Sequence, residues 1–208
     1  MVVGRLLVFS GLVSGIFIAG CAMQTAEQVR GVGGKGKVLL VIAPSDFRDE
    51  ELFDTRREIE SAGYATFLAS TRKGEARGML GGRATASLHV SEANISEYAA
   101  IVFVGGIGVE ENLLYEDEDV LRIARESVGQ NKVVGAICIA PRILARAGVV
   151  KGKRVTSYPD GTTKSMLADA GAMHTGADVQ VDGKIITADG PKSATKFGRE
   201  IARLLESS

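Results

Sequence analysis

Val133-Val134-Gly135-Ala136-Ile137-Cys138-Ile139-Ala140-Pro141-Arg142-Ile143-Leu144-Ala145-Arg146 is the stretch whose reading decides the fold. It opens with an apolar run of strand length, the pattern of a strand buried on both faces of a parallel sheet. It continues as a helix-like segment from Arg142. Cys138 therefore stands at the carboxyl end of a sheet strand, beside the unpaired N–H groups and positive dipole of a helix N-terminus. Such a place favours thiolate over thiol and makes a nucleophile. The other reading is a small apolar core residue, because free cysteines are often buried.

Outward from this stretch, strand-length apolar runs alternate with amphipathic ones. Val38 to Ala43 is a continuous apolar run, and Glu50 to Ala62 reads as a helix stopped by Gly63. Ala65 to Ala69 is a second strand, Thr71 to Arg83 a Gly- and charge-rich loop, and Ala86 to Val90 a short edge strand. Ala100 to Val104 is a third strong strand and runs into Gly105-Gly106-Ile107-Gly108. A helix follows over Asp117 to Gly129, and Lys132 to Ile137 delivers Cys138. Beyond the short helix ending near Gly148 come a strand at Arg154 to Thr156 and a helix at Lys164 to Ala170. A hairpin at Val179–Val181 and Ile185–Thr187 and a terminal helix from Ser193 to Leu205 complete the chain. This alternation predicts an α/β protein, a three-layer α/β/α sandwich around a mostly parallel sheet, with ligands at the carboxyl ends of the strands.

The 208 residues are 45% hydrophobic and only 5% aromatic, enough for one compact domain with a real core. The 25 basic and 25 acidic residues balance to zero formal charge and are interspersed, which argues against a nucleic-acid partner. Two distant cysteines and two isolated histidines, His89 and His174, have no metal-ligand spacing, so neither metal nor cofactor is expected. The N-terminus reads differently. Arg5 precedes an apolar stretch from Leu6 to Ile18, too short for a confident membrane span and suited to a signal-peptide core. Ile18-Ala19-Gly20-Cys21 resembles the lipobox of bacterial-type lipoproteins, in which the cysteine becomes the first mature residue and carries the lipid. On that reading residues 1–20 are a signal peptide, 21–36 a flexible tether and 37–208 the folded domain, held on the outer face of a cytoplasmic membrane or in a periplasm. A start at Met23 would instead leave a cytoplasmic protein.

Three segments converge on one sheet edge: Asp46 to Glu51 after the first strand, Gly105 to Gly108 after the third strong strand, and Cys138. Gly105-Gly106 permits close backbone approach, so the N–H groups of Gly106 and Ile139 could face a ligand oxygen, although a plain turn explains the glycines equally well. Glu50 and Glu51 could equally serve only the helix dipole. Together these segments resemble the ThiJ/PfpI superfamily, relatives of class I glutamine amidotransferases. The resemblance rests on Val134 to Pro141 and Leu144 to Thr156, with Phe47 to Leu52, Gly105-Gly106, Val181 to Thr187 and Gly190-Pro191 in support.

The resemblance implies a flavodoxin-like sandwich with Cys138 on a nucleophile elbow, Glu51 as its partner carboxyl, and Gly105, Gly106 and Ile139 as backbone around the pocket. It also implies Tyr158 and Pro191 at the pocket wall and a homo-oligomer such as a dimer. Ile139 occupies the position at which PfpI-type members have a histidine, and Tyr158 the position at which other relatives have theirs. A Cys–His base is therefore not expected. Three functions follow from the resemblance. The first is glyoxalase- or deglycase-like chemistry on a small carbonyl compound or a glycated protein, the second a redox-responsive or chaperone-like role through Cys138, and the third, set back by Ile139, a peptidase or amidase.

Overall fold

The computed structural model describes Met1 and residues 34–207. The signal-peptide segment, Cys21 and nearly all of the tether lie outside the described residues. The folded part begins with β1 (Lys37–Val41), β2 (Ser45–Phe47) and α1 (Asp49–Ser61), then β3 (Ala65–Ser70), β4 (Gly74–Gly78), β5 (Arg83–Ala86) and β6 (Leu88–His89). After two short 3-10 turns come β7 (Ala100–Phe103), α2 (Gly108–Glu111), α3 (Glu118–Gly129), β8 (Val133–Ile137) and α4 (Pro141–Arg146). The chain ends with β9 (Arg154–Val155), α5 (Gly161–Asp169), β10 (Met173–His174), β11 (Val179–Asp182), β12 (Ile185–Ala188) and α6 (Ala194–Glu206).

Seven strands make the main sheet in the order β11-β12-β8-β7-β1-β3-β6. Every neighbouring pair is parallel except the β11–β12 hairpin. Helices α1 and α6 pack against each other and against the sheet, while α3 packs with α4 over β7 and β8, giving the expected three-layer α/β architecture. The unbroken apolar runs of β1, β7 and β8 are explained by burial on both faces: Val38 to Val41, Ala100 to Phe103 and Val133 to Ile137 are all buried. From β1 the chain winds first to β3 on one side and later returns to β7 on the other. That reversal leaves a crevice outside the carboxyl ends of β1 and β7, the usual ligand position in such sheets.

Thr71 to Arg83 is not the loop its glycines and charges suggest. It holds β4 and most of the turn to β5, and these two strands form a second, three-stranded sheet with β2. The segment alternates buried Ala76 and Gly78 with exposed Glu75 and Arg77, a period of two carried by small residues rather than β-branched ones. The expected edge strand over Ala86 to Val90 is divided. Ala86 closes β5, and Leu88–His89 forms the outer strand of the main sheet. Helix α5 begins at Gly161, three residues before the expected start, because Asp160 caps it by accepting from the Thr163 N–H at 2.8 Å.

Candidate functional site

Three turns at the carboxyl ends of β1, β7 and β8 surround one cleft of about 370 Å³, lined by Arg48, Glu51, Met79, Gly106, Ile107, Cys138, Ile139, Tyr158 and Pro191. Cys138 turns the chain from β8 toward α4 with φ of 63°, a left-handed conformation that costs a residue with a Cβ about 1–2 kcal/mol. The elbow is fixed on both sides. The Cys138 N–H donates to Ala188 at 2.9 Å, and its carbonyl accepts from the Tyr158 N–H at 2.8 Å. A strained residue held by its neighbours, with its side chain in a cleft, is the arrangement of a nucleophile elbow.

Glu51 reaches the same place from the first turn of α1. Three consecutive acids begin that helix, and each has its own task. Asp49 accepts from the Leu80 N–H at 2.8 Å and the Gly82 N–H at 2.7 Å, Glu50 forms a two-pronged pair with Arg48, and Glu51 turns inward and is fully buried. Glu51 Oε2 accepts from the Gly105 N–H at 3.0 Å, while Oε1 is buried without a hydrogen-bond partner. Burial raises the Glu51 carboxyl to about 8, against smaller opposing effects of the Cys138 thiol, the Gly105 N–H and Arg48. At neutral pH the carboxyl keeps its proton.

Burial also pushes the Cys138 thiol up, and an ionised Glu51 beside it pushes further, while the N–H groups of Gly106 and Ile139 pull it down. The thiolate expected from the helix N-terminus alone is thus not favoured, because desolvation at 9% exposure outweighs the pull of the two N–H donors. The two acids are coupled. When Glu51 holds its proton, the raising effect of its charge disappears and the two N–H donors remain, so the pair supports one negative charge far better than two.

The glycines divide the work. Gly105 has both backbone groups engaged, its N–H with Glu51 and its carbonyl with the Arg48 N–H at 3.0 Å, which leaves Gly106 and Ile139 to face the sulfur. Gly106 has φ of 105°, and a Cβ there would lie 2.4 Å from the Arg48 nitrogen and 2.5 Å from the Asp46 oxygen. No other residue fits that turn. Tyr158 and Pro191 line the cleft where the sequence places them. Neither histidine does. His174 Nε2 lies 3.2 Å from Ser157 Oγ, and His89 is bound to Ser91 and the Thr71 carbonyl. Arg48, Met79 and Ile107 were not singled out from sequence. Arg48 lies inside the segment Phe47 to Leu52, whereas Met79 comes from the small sheet and left no signal in its local pattern.

A cysteine on a strand-to-helix elbow at the carboxyl end of a mostly parallel sheet, with a buried glutamate and two backbone N–H groups around it, places the chain in the class I glutamine amidotransferase-like fold. Within that class the chain belongs to the DJ-1/PfpI family, whose model matches residues 36–204. It is 45% identical to an uncharacterised protein of Methanocaldococcus jannaschii over 82% of each chain. A protein of Pyrococcus horikoshii named a deglycase is 32% identical over 82% of this chain and 99% of its own. Among solved structures, the ThiJ/PfpI domain protein from Brachyspira murdochii superposes with a TM-score of 0.79 at 34% identity, covering 83% of this chain and 97% of that one.

Proposed function

We propose that this protein is a cysteine-dependent enzyme acting on reactive carbonyl compounds, glyoxalase- or deglycase-like, with Cys138 as nucleophile and Glu51 as proton carrier. The observation that carries the reading is the buried Glu51 carboxyl coupled to the Cys138 thiol, with an oxygen to spare and no imidazole lining the cleft. In this scheme the sulfur adds to an aldehyde carbon, and the new alkoxide is stabilised by the Gly106 and Ile139 N–H groups and protonated. With a 2-oxoaldehyde, Glu51 then moves the proton from the sulfur-bearing carbon to the neighbouring carbonyl carbon. Water releases a 2-hydroxy acid and restores the thiol, so the net change is the addition of one water. The deglycase names of relatives at 32% identity support the same class of substrate. The test is methylglyoxal consumption by the purified protein. Turnover is expected to vanish in Cys138→Ala and nearly vanish in Glu51→Gln, and equal turnover in wild type and Cys138→Ala overturns the reading.

One observation favours a second role for the same thiol. The free Glu51 Oε1 and the two N–H donors are suited to hold the oxygens of an oxidised sulfur. Under that reading two equivalents of hydrogen peroxide convert Cys138 to its sulfinate, with release of water, before the methionines oxidise. Mass spectrometry showing methionine oxidation first would sink it.

A further inference from the structure

Arg142, four residues after the elbow cysteine, is 5% exposed, and its guanidinium is spanned by partners from two other parts of the chain. Its Nη1 is paired with Glu110 of α2, the helix that follows the Gly105-Gly106-Ile107 turn. Nη2 donates to Asp160 Oδ1 at 3.2 Å and Nε to Thr163 Oγ1 at 2.7 Å, both at the start of α5, just beyond Tyr158. The ring of Tyr115 lies beneath, with its centroid 5.8 Å from Cζ, and the Tyr115 hydroxyl donates to Glu110 Oε1 at 3.1 Å. Burial works to raise the Asp160 carboxyl, but hydrogen bonds from Thr163 and the Arg142 charge outweigh it and hold Asp160 below its ordinary value.

Taking a guanidinium out of water is costly, and a well-packed apolar side chain would serve stability as well or better. What the fork of five donors supplies is direction: it fixes three planar contacts at once, which neither lysine nor an apolar residue does. The three segments it ties are the ones that bound the cleft. Gly106 comes from the turn before α2, Cys138 and Ile139 from the elbow before α4, and Tyr158 from the turn before α5.

We propose that Arg142 is the positioning residue of the nucleophile elbow, setting the separation between the Gly106 and Ile139 N–H donors so that both face the Cys138 sulfur. Arg142 does not line the cleft, so it acts through these segments. The proposal concerns the reactivity of the thiol and holds whichever substrate that thiol meets. Loosening the strut moves an N–H donor away from the sulfur, removes stabilisation from the thiolate, and so shifts its ionisation upward.

The experiment measures the rate of Cys138 alkylation by iodoacetamide as a function of pH in full-length protein, alongside thermal melting and circular dichroism. Arg142→Met is expected to remain folded and to react more slowly at pH 7, on the order of tenfold, with the pH midpoint moved upward. Arg142→Lys, which keeps the charge without the fork, is expected to recover only part of the rate. A folded Arg142→Met protein with the wild-type rate and midpoint overturns the proposal. So does full recovery by lysine, which would make charge alone sufficient. Should Arg142→Met fail to fold, Glu110→Gln removes one arm at a half-exposed position. An upward midpoint shift there supports the strut, and an unchanged profile overturns it.

Discussion

Glu51 occupies a position where two physical effects oppose each other. The first turn of a helix favours an anion by about 0.3–1 kcal/mol at exposed sites, but complete burial with one N–H partner works against it and prevails, raising the carboxyl to about 8. The sign of the stability effect follows. Between the unfolded value near 4.5 and about 8 the folded protein binds more protons than the unfolded chain, so burying Glu51 costs increasing stability as pH rises through that window. Glu51→Gln is therefore expected to melt at the wild-type temperature near pH 4 and above it at pH 8.5, with a gain on the order of a few kcal/mol. Melting curves at the two pH values check this, and a wild-type protein that melts higher at pH 8.5 would contradict it. A second expectation concerns the elbow. Since φ of 63° strains any residue with a Cβ, Cys138→Gly should be more stable than Cys138→Ala by about 1 kcal/mol, measured by urea denaturation. Equal stability of the two variants would mean that the turn relaxes when the sulfur is gone.

Elements differ in how openly they are written in the chain. β1, β7 and β8 are legible because strands buried on both faces need unbroken apolar runs, and Cys138 is legible because it interrupts one at its end. β2, β4 and β5 are not. The inward side of β4 and β5 is covered by Ala76, Ala84 and Ala86, residues too small to distinguish a strand from a loop, and β2 is only three residues long, with Phe47 its one buried residue. What stabilises that small sheet is a long-range contact that local pattern cannot show: the Asp49 carboxylate accepts the Leu80 and Gly82 N–H groups from across the chain. Gly78 and Gly82 leave the room for it, since a Cβ at either would meet the carboxylate within 2.6 Å. Asp49→Ala leaves the N–H groups of exposed Leu80 and half-buried Gly82 without this partner and is expected to destabilise the protein by about 1 kcal/mol. It should also expose the turn that places Met79 against the cleft, so that limited proteolysis cuts between residues 78 and 83 in the variant and not in wild type. An unaltered digestion pattern would show that the small sheet holds without its cap.

For the whole molecule, the family frame follows from the order of segments, whereas the state of the thiol does not, because desolvation depends on what packs around Cys138 and not on its neighbours in sequence. Arg142 shows the same limit: four residues from the cysteine, it is tied to Glu110 and Asp160 only once the chain is folded. The N-terminal reading stands apart from the folded part. The family match begins at residue 36, and β1 at Lys37. Among the described residues no helix is long and apolar enough to cross a membrane. We propose that the lipobox-like Ile18-Ala19-Gly20-Cys21, which lies outside the described residues, carries a lipid that retains the protein at a membrane. Expressed in a bacterium with lipoprotein processing, the full chain is expected in the membrane fraction and to incorporate labelled palmitate, whereas Cys21→Ser should lose the label and a chain starting at Gly34 should be released. Both altered forms should keep the wild-type rate of Cys138 alkylation, because neither change alters a residue of the matched region 36–204. If the Cys21→Ser variant retains the label, the lipid is elsewhere, and if the full chain is never labelled, a start at Met23 becomes the better reading.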